Sequence, residues 1–200
     1  MKKILTVFAI LSFGNALFAQ NLDSLAIQIS NAYNKAYSSD SLKYKQDFFN
    51  IFPDNFQLFN ALYGWNHDKE KPRIMYFLSD EHISFFCTLD EIIPIEQFSH
   101  KIIKLSLNGY WDADAINYLQ HCINDFVSSN LQLFIDILSQ YSEEDMIKFW
   151  TFFYDTLYPD HPYLIKFHTD ISDKIKKVNF QMYQIMEKGW EEMISKQEEW

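Results

Sequence analysis

Residues 141–159 constrain the fold more than any other stretch of the chain. Ser142 with Asp145 three positions on reads as a capping box. Pro159 closes the far end, because proline has no N–H to continue an i to i−4 ladder. Between these signals stand Met146, Ile147, Phe149, Trp150, Phe152, Phe153, Tyr154, Leu157 and Tyr158. They cover most of a helical circumference instead of one stripe. A helix apolar nearly all round is a buried one, so a central helix over 142–158 is predicted, with the others packed on it.

The rest of the chain reads as helices joined by short links. Four glycines and five prolines in 200 residues are too few for the turns of a sandwich or barrel. Leu22, Leu25, Ile29, Ala32 and Ala36 recur at helical spacing, as do Ala115, Tyr118, Leu119, Cys122 and Phe126. Asp54 is expected to cap the helix after Pro53, and Gly64 to end it in the left-handed conformation. Residues 72–93 have β-propensity in two short runs, but no hairpin turn divides them, so helices are favoured. Ile171, Ile175, Val178, Met182 and Ile185 form a heptad-like seam, on one long final helix or on one broken near Thr169. The expected fold is all-α, a single domain of about eight helices over 20–200.

Residues 1–19 read as a signal peptide: Lys2 and Lys3, a short apolar run, then Ala19 before the cut. That run is too short to span a bilayer, and no later stretch is apolar enough. The expected location is periplasmic or secreted, with no membrane insertion after cleavage. The formal charge is −10, and becomes −12 without the two leader lysines. Such a field repels nucleic acid and anionic lipid. It suits solubility or a basic partner. Cys87 and Cys122 are the only cysteines, which in an exported chain leaves open one disulfide or two buried thiols.

No motif carries chemistry. His-Glu-x-x-His, Gly-x-Ser-x-Gly, Cys-x-x-Cys and a glycine-rich phosphate loop are all missing. His161 and His168 stand seven apart, which is not the spacing of helical metal ligands; no metal and no cofactor are assigned. Trp111-Asp112-Ala113-Asp114 is the most distinctive short run. Asp112 fits a helix N-cap, and Asp114 favours the positive helix end. The same acids also suit a partner surface. The helix starts around Asp112, Asp114, Tyr158, Asp160 and His161 are therefore the predicted partner-binding residues. Helix ends and loops carry function more often than helix centres.

Residues 52–56 (Phe-Pro-Asp-Asn-Phe), 63–64 (Tyr-Gly), 108–118 (Asn-Gly-Tyr-Trp-Asp-Ala-Asp-Ala-Ile-Asn-Tyr) and 149–153 (Phe-Trp-Thr-Phe-Phe) carry a resemblance. The chain resembles a group of small exported all-helical bacterial proteins with no assigned activity. The resemblance implies the fold class and transfers no reaction. The functional expectation is an acidic exported interaction protein that binds a basic protein partner, in the manner of an immunity-type inhibitor of an envelope toxin. One alternative is an envelope hydrolase using Asp112, Asp155 and His161. The other is a small-ligand or glycan binder that spends its surplus aromatics on a cleft.

Overall fold

The central helix forms where its sequence predicts, and ends earlier. In the computed structural model, which describes residues 21–197, it runs Glu143–Tyr154. Ser142 Oγ accepts the Asp145 N–H at 3.1 Å, so the cap is real. Phe149, Trp150, Thr151, Phe152, Phe153 and Tyr154 are all buried. Leu157 and Tyr158, predicted inside this helix, lie exposed in the connector that follows.

The early stop has a specific cause. Pro159 has no N–H to give the Asp155 carbonyl four residues back. Gln120 Nε2 donates there instead, at 2.8 Å, and to the Phe152 carbonyl at 2.8 Å. Two carbonyls at the helix end are thus satisfied from another element. The Asp155 backbone turns extended, and its carboxylate accepts the Trp111 N–H at 2.6 Å.

Ten α-helices make up the described residues, with three short 3-10 turns and one small hairpin. They are α1 (21–37), α2 (Leu42–Ile51), α3 (Phe56–Tyr63), α4 (Ser79–Cys87), α5 (Ile95–Ser106), α6 (Asp114–Ser129), α7 (Leu131–Leu138), α8 (Glu143–Tyr154), α9 (Pro162–Val178) and α10 (Phe180–Gln197). The count exceeds the expected eight or so chiefly because the last segment is two helices. It breaks at Asn179, not near Thr169: Asn179 is extended, and its Oδ1 accepts the Met182 N–H at 2.9 Å, capping α10. The expected signal peptide lies outside the described residues.

Packing follows the apolar faces. The buried stripe of α1 is Ala26, Ile29, Tyr33 and Ala36, turned slightly from the predicted one. Helix α10 lies along α8, with α9 beside it, while α4 packs on α6 and α5 on α7. Gly189 of α10 sits against the backbone of α8. A Cβ there would meet Trp150 Cβ at 2.6 Å and the Ile147 carbonyl at 3.0 Å. The aromatic surplus is mostly core: the largest fully buried side chains are all Trp, Tyr or Phe. Rings run through the molecule from Phe98 to Phe126 (4.8 Å), Phe134 (6.2 Å), Phe149 (5.1 Å) and Trp150 (5.1 Å).

Three local expectations are corrected. Asn55, not Asp54, caps α3, accepting the Leu58 N–H at 2.9 Å. Gly64 is not left-handed: its φ is −78°. Glycine fits there because a Cβ would lie 2.8 Å from the Asn60 backbone carbonyl oxygen as well as on its side chain. Asp112 does not cap α6, which begins at Asp114 after Ala113. The stretch 72–93 is helical, as favoured, with α4 between two 3-10 turns. The polar link before it closes as a hairpin, Trp65–Asn66 against Lys71–Pro72.

A buried histidine makes the fold sensitive to acid. His82 is 1% exposed, and its Nδ1 lies 2.9 Å from the Tyr63 hydroxyl. Burial pulls its pKa down from 6.5 to about 4. Below pH 6.5 the unfolded chain takes a proton there that the folded chain refuses, so stability is complete above 6.5 and falls toward pH 4. The expected loss between pH 7 and 4.5 is about 2.5 kcal/mol from this group. Urea denaturation at both pH values should show His82→Gln losing less than the parent by about that amount. Equal losses would mean that His82 titrates normally.

Candidate functional site: a cleft between α6 and the α8–α9 connector

The predicted residues divide into two places. Asp112 and Asp114 stand at the start of α6, where both serve the fold. The Asp112 side chain is 1% exposed. It accepts the Trp65 N–H at 3.2 Å and lies 2.5 Å from His67 Nε2, tying the hairpin to α6. Asp114 accepts the Tyr76 hydroxyl at 2.9 Å; burial, and then this bond, raise the pKa of that phenol.

Tyr158, Asp160 and His161 belong to the connector between α8 and α9. Tyr158 and His161 line a cleft of about 210 Å3, whose other wall is α6. Asp160 follows Tyr158 and Pro159 on the same connector and is exposed. The α6 wall supplies Asn117, Gln120, His121 and Asn124. Spaced by three and four, they occupy one face of the helix. Phe153, Tyr154 and Asp155 come from the end of α8, and Tyr163 and Leu164 from the first turn of α9. Trp111 links the two places: its backbone N–H goes to Asp155, and its indole Nε1 donates to Asn117 Oδ1 at 2.9 Å.

These bonds decide what the cleft presents. Gln120, 8% exposed, spends its amide hydrogens on the Phe152 and Asp155 carbonyls, which leaves its carbonyl oxygen as an acceptor. Asn117 spends its oxygen on Trp111, which leaves its NH2 as a donor. His161 caps α9 by accepting the Tyr163 N–H on Nδ1 at 3.2 Å, so the neutral ring carries its proton on Nε2. Asn124 Oδ1 is buried without a protein partner. The rings of Tyr158 and Tyr163 are 66% and 71% exposed, so both offer open faces.

A second depression, of about 310 Å3, lies across α6. His121 lines both. Its other walls are Ser84, Asp90, Tyr118, Asp125 and the disulfide between Cys87 and Cys122. Burial, then the neighbouring Glu91, raises the pKa of Asp90. Neither depression has a lysine or arginine in its lining.

Of the hydrolase set, Asp155 and His161 line the same cleft, and Asp112 stands apart behind Trp111. Asp155 is committed to the Trp111 backbone. Among the described residues, no group of three or more His, Cys, Asp or Glu is arranged to hold a metal ion, and no helix is long and apolar enough to cross a membrane. Sequence reasoning missed Asn117, Gln120 and Asn124. Their signal was present as three amides on one face of an otherwise apolar-patterned helix. Comparison with protein-family models, with curated proteins and with solved structures finds no match for this chain.

Proposed function

We propose that this chain is an exported binding protein that holds a small polar ligand in the cleft between α6 and the α8–α9 connector. One observation carries the reading. The cleft pairs two open tyrosine faces with amide groups whose other ends are already bonded to the protein. Groups pinned in this way lose little freedom on binding, which is how a small site gains affinity. Pinned groups of this kind suit recognition, and the residues nearest a catalytic set are occupied in holding the fold.

The test uses the exported chain and mapped NMR shifts. A panel of sugars, amino acids, nucleosides and polyamines is titrated into the labelled protein. The expected result is a saturable shift confined to residues 117–124 and 153–164. Tyr158→Ala and Tyr163→Ala should each weaken that ligand about tenfold while changing stability by less than about 0.5 kcal/mol, because both rings are exposed. Shifts elsewhere, or none with any probe, would defeat the reading.

A second reading rests on charge: an acidic surface that takes a basic protein partner, as an immunity-type inhibitor does. The net charge of −10 and the absence of lysine and arginine from both depressions favour it. Leu157, Tyr158, Tyr163 and Ile165 are exposed together around the connector and supply apolar anchors, with Asp160 and His161 among them. Association with such a partner should slow steeply as salt rises, and Asp160→Asn should reduce the on-rate more than the off-rate. A salt-independent on-rate would exclude it.

A further inference from the structure

We infer that the ligand of this cleft is a neutral, hydroxyl-rich ring: a single pyranose unit of a sugar. The inference rests on the small-ligand reading above and adds the chemical class. Size comes first. A cavity of about 210 Å3 is smaller than the 300–1,000 Å3 that drug-sized ligands occupy. It has room for one ring at a time.

Charge comes second. Anions are recognised by arginine, lysine or clustered backbone N–H groups. The lining holds no lysine or arginine, and the first turn of α9 has its Tyr163 N–H taken by His161. A phosphate or carboxylate would therefore enter unpaired, at high cost. A cation would find a single carboxylate in the lining, Asp155, whose Oδ2 already accepts the Trp111 N–H at 2.6 Å, and the spermidine control below decides that case.

The hydrogen-bond inventory decides among neutral ligands. Gln120 offers an acceptor, Asn117 a donor pair and His161 Nε2 a donor. Asn124, also in the lining, has a buried amide oxygen with no protein partner. Donors and acceptors thus share the lining of one small space. A hydroxyl both donates and accepts, so several hydroxyls on one ring match such a lining from any side. A purely apolar ligand would leave these groups unpaired. The exposed faces of Tyr158 and Tyr163 complete the match, since a pyranose has an apolar C–H face as well as its hydroxyl edge.

The experiment is saturation-transfer NMR and calorimetry on the exported chain. The probes are the methyl glycosides of glucose, galactose, mannose and N-acetylglucosamine, with glucuronate and spermidine as charged controls. At least one neutral glycoside should bind and shift residues 117–124 and 153–164. Tyr163→Ala should weaken it tenfold or more, and Tyr37→Ala, equally exposed on α1 at 70%, should leave it unchanged. The matching disaccharide separates a free sugar from a glycan end: equal affinity indicates one free ring, and a gain indicates a longer chain. Binding of a charged control in the cleft without any glycoside would overturn the sugar class and leave the small-ligand reading standing. Silence from every probe would overturn both.

Discussion

Trp150→Ala is expected to destabilise the protein by on the order of 3–5 kcal/mol, the cost of removing a large buried aromatic. Trp150 is fully buried. Its ring meets Phe149 at 5.1 Å and Phe153 at 5.1 Å, both edge-on, and stacks toward Tyr154 at 6.3 Å. Its indole N–H points at Met182 Sδ of α10 at 3.4 Å. Gly189, also on α10, lets that helix's backbone come against its Cβ. Two close-packed helices cannot collapse into the void that alanine leaves, so the loss falls at the upper end of the usual range. A domain of ordinary stability, about 5–15 kcal/mol, would be left marginal. Urea denaturation of the variant against the parent measures it. Trp150→Phe should cost less, because it keeps the ring contacts and loses only volume and the N–H. A loss below about 1 kcal/mol for the alanine variant would show that α8 is not the centre of the core.

The same helix shows how much of this fold is legible in the chain and where legibility stops. Its start is local: Ser142 and Asp145 lie within one turn and meet as their spacing says. Its end is not. Pro159 marks only the last position at which the ladder could survive. The actual end at Tyr154 depends on Gln120 and Trp111, which lie more than thirty residues away in sequence. Asp112 fails as a cap for the same reason. By local chemistry it suits a helix start, but folding brings Trp65 N and His67 within its reach, and it serves the hairpin instead. The break at Asn179 was more accessible: an asparagine followed by a renewed apolar pattern is a local cap signal, hidden here by the continuous seam of Ile175, Met182 and Ile185.

The cleft divides along the same line. Tyr158 and His161 were legible as candidates because they flank the helix stop at Pro159, and helix ends carry function more often than helix centres; that Tyr158 lies outside the central helix was not. Asn117, Gln120 and Asn124 were not singled out, because polar residues on the outer face of an amphipathic helix are ordinary. Only the arrival of the α8–α9 connector over that face makes it a site. His82 is the reverse case. Nothing near it in sequence marks it as buried beside Tyr63, and that burial is what pulls its pKa down.

Replacing both cysteines, Cys87→Ala with Cys122→Ala, is expected to cost about 3–4 kcal/mol. The bond joins the C-terminal end of α4 to the middle of α6, with Cα atoms 5.6 Å apart, inside the usual range for a bridge. It closes a loop of 35 residues in sequence that carries α5 and the start of α6. Tying that loop removes unfolded conformations, and for this length the chain-entropy relation gives about 4 kcal/mol. The folded side adds little, since the half-buried Cys87 and the buried Cys122 pack acceptably as small apolar groups. The stabilisation therefore acts mainly through the unfolded chain, and it vanishes when the bond is reduced. Denaturation of the parent with and without a dithiol reductant should separate by the same amount as parent and variant. The doubly substituted protein should not respond to the reductant at all. A parent indifferent to reductant would mean that the thiols are not joined.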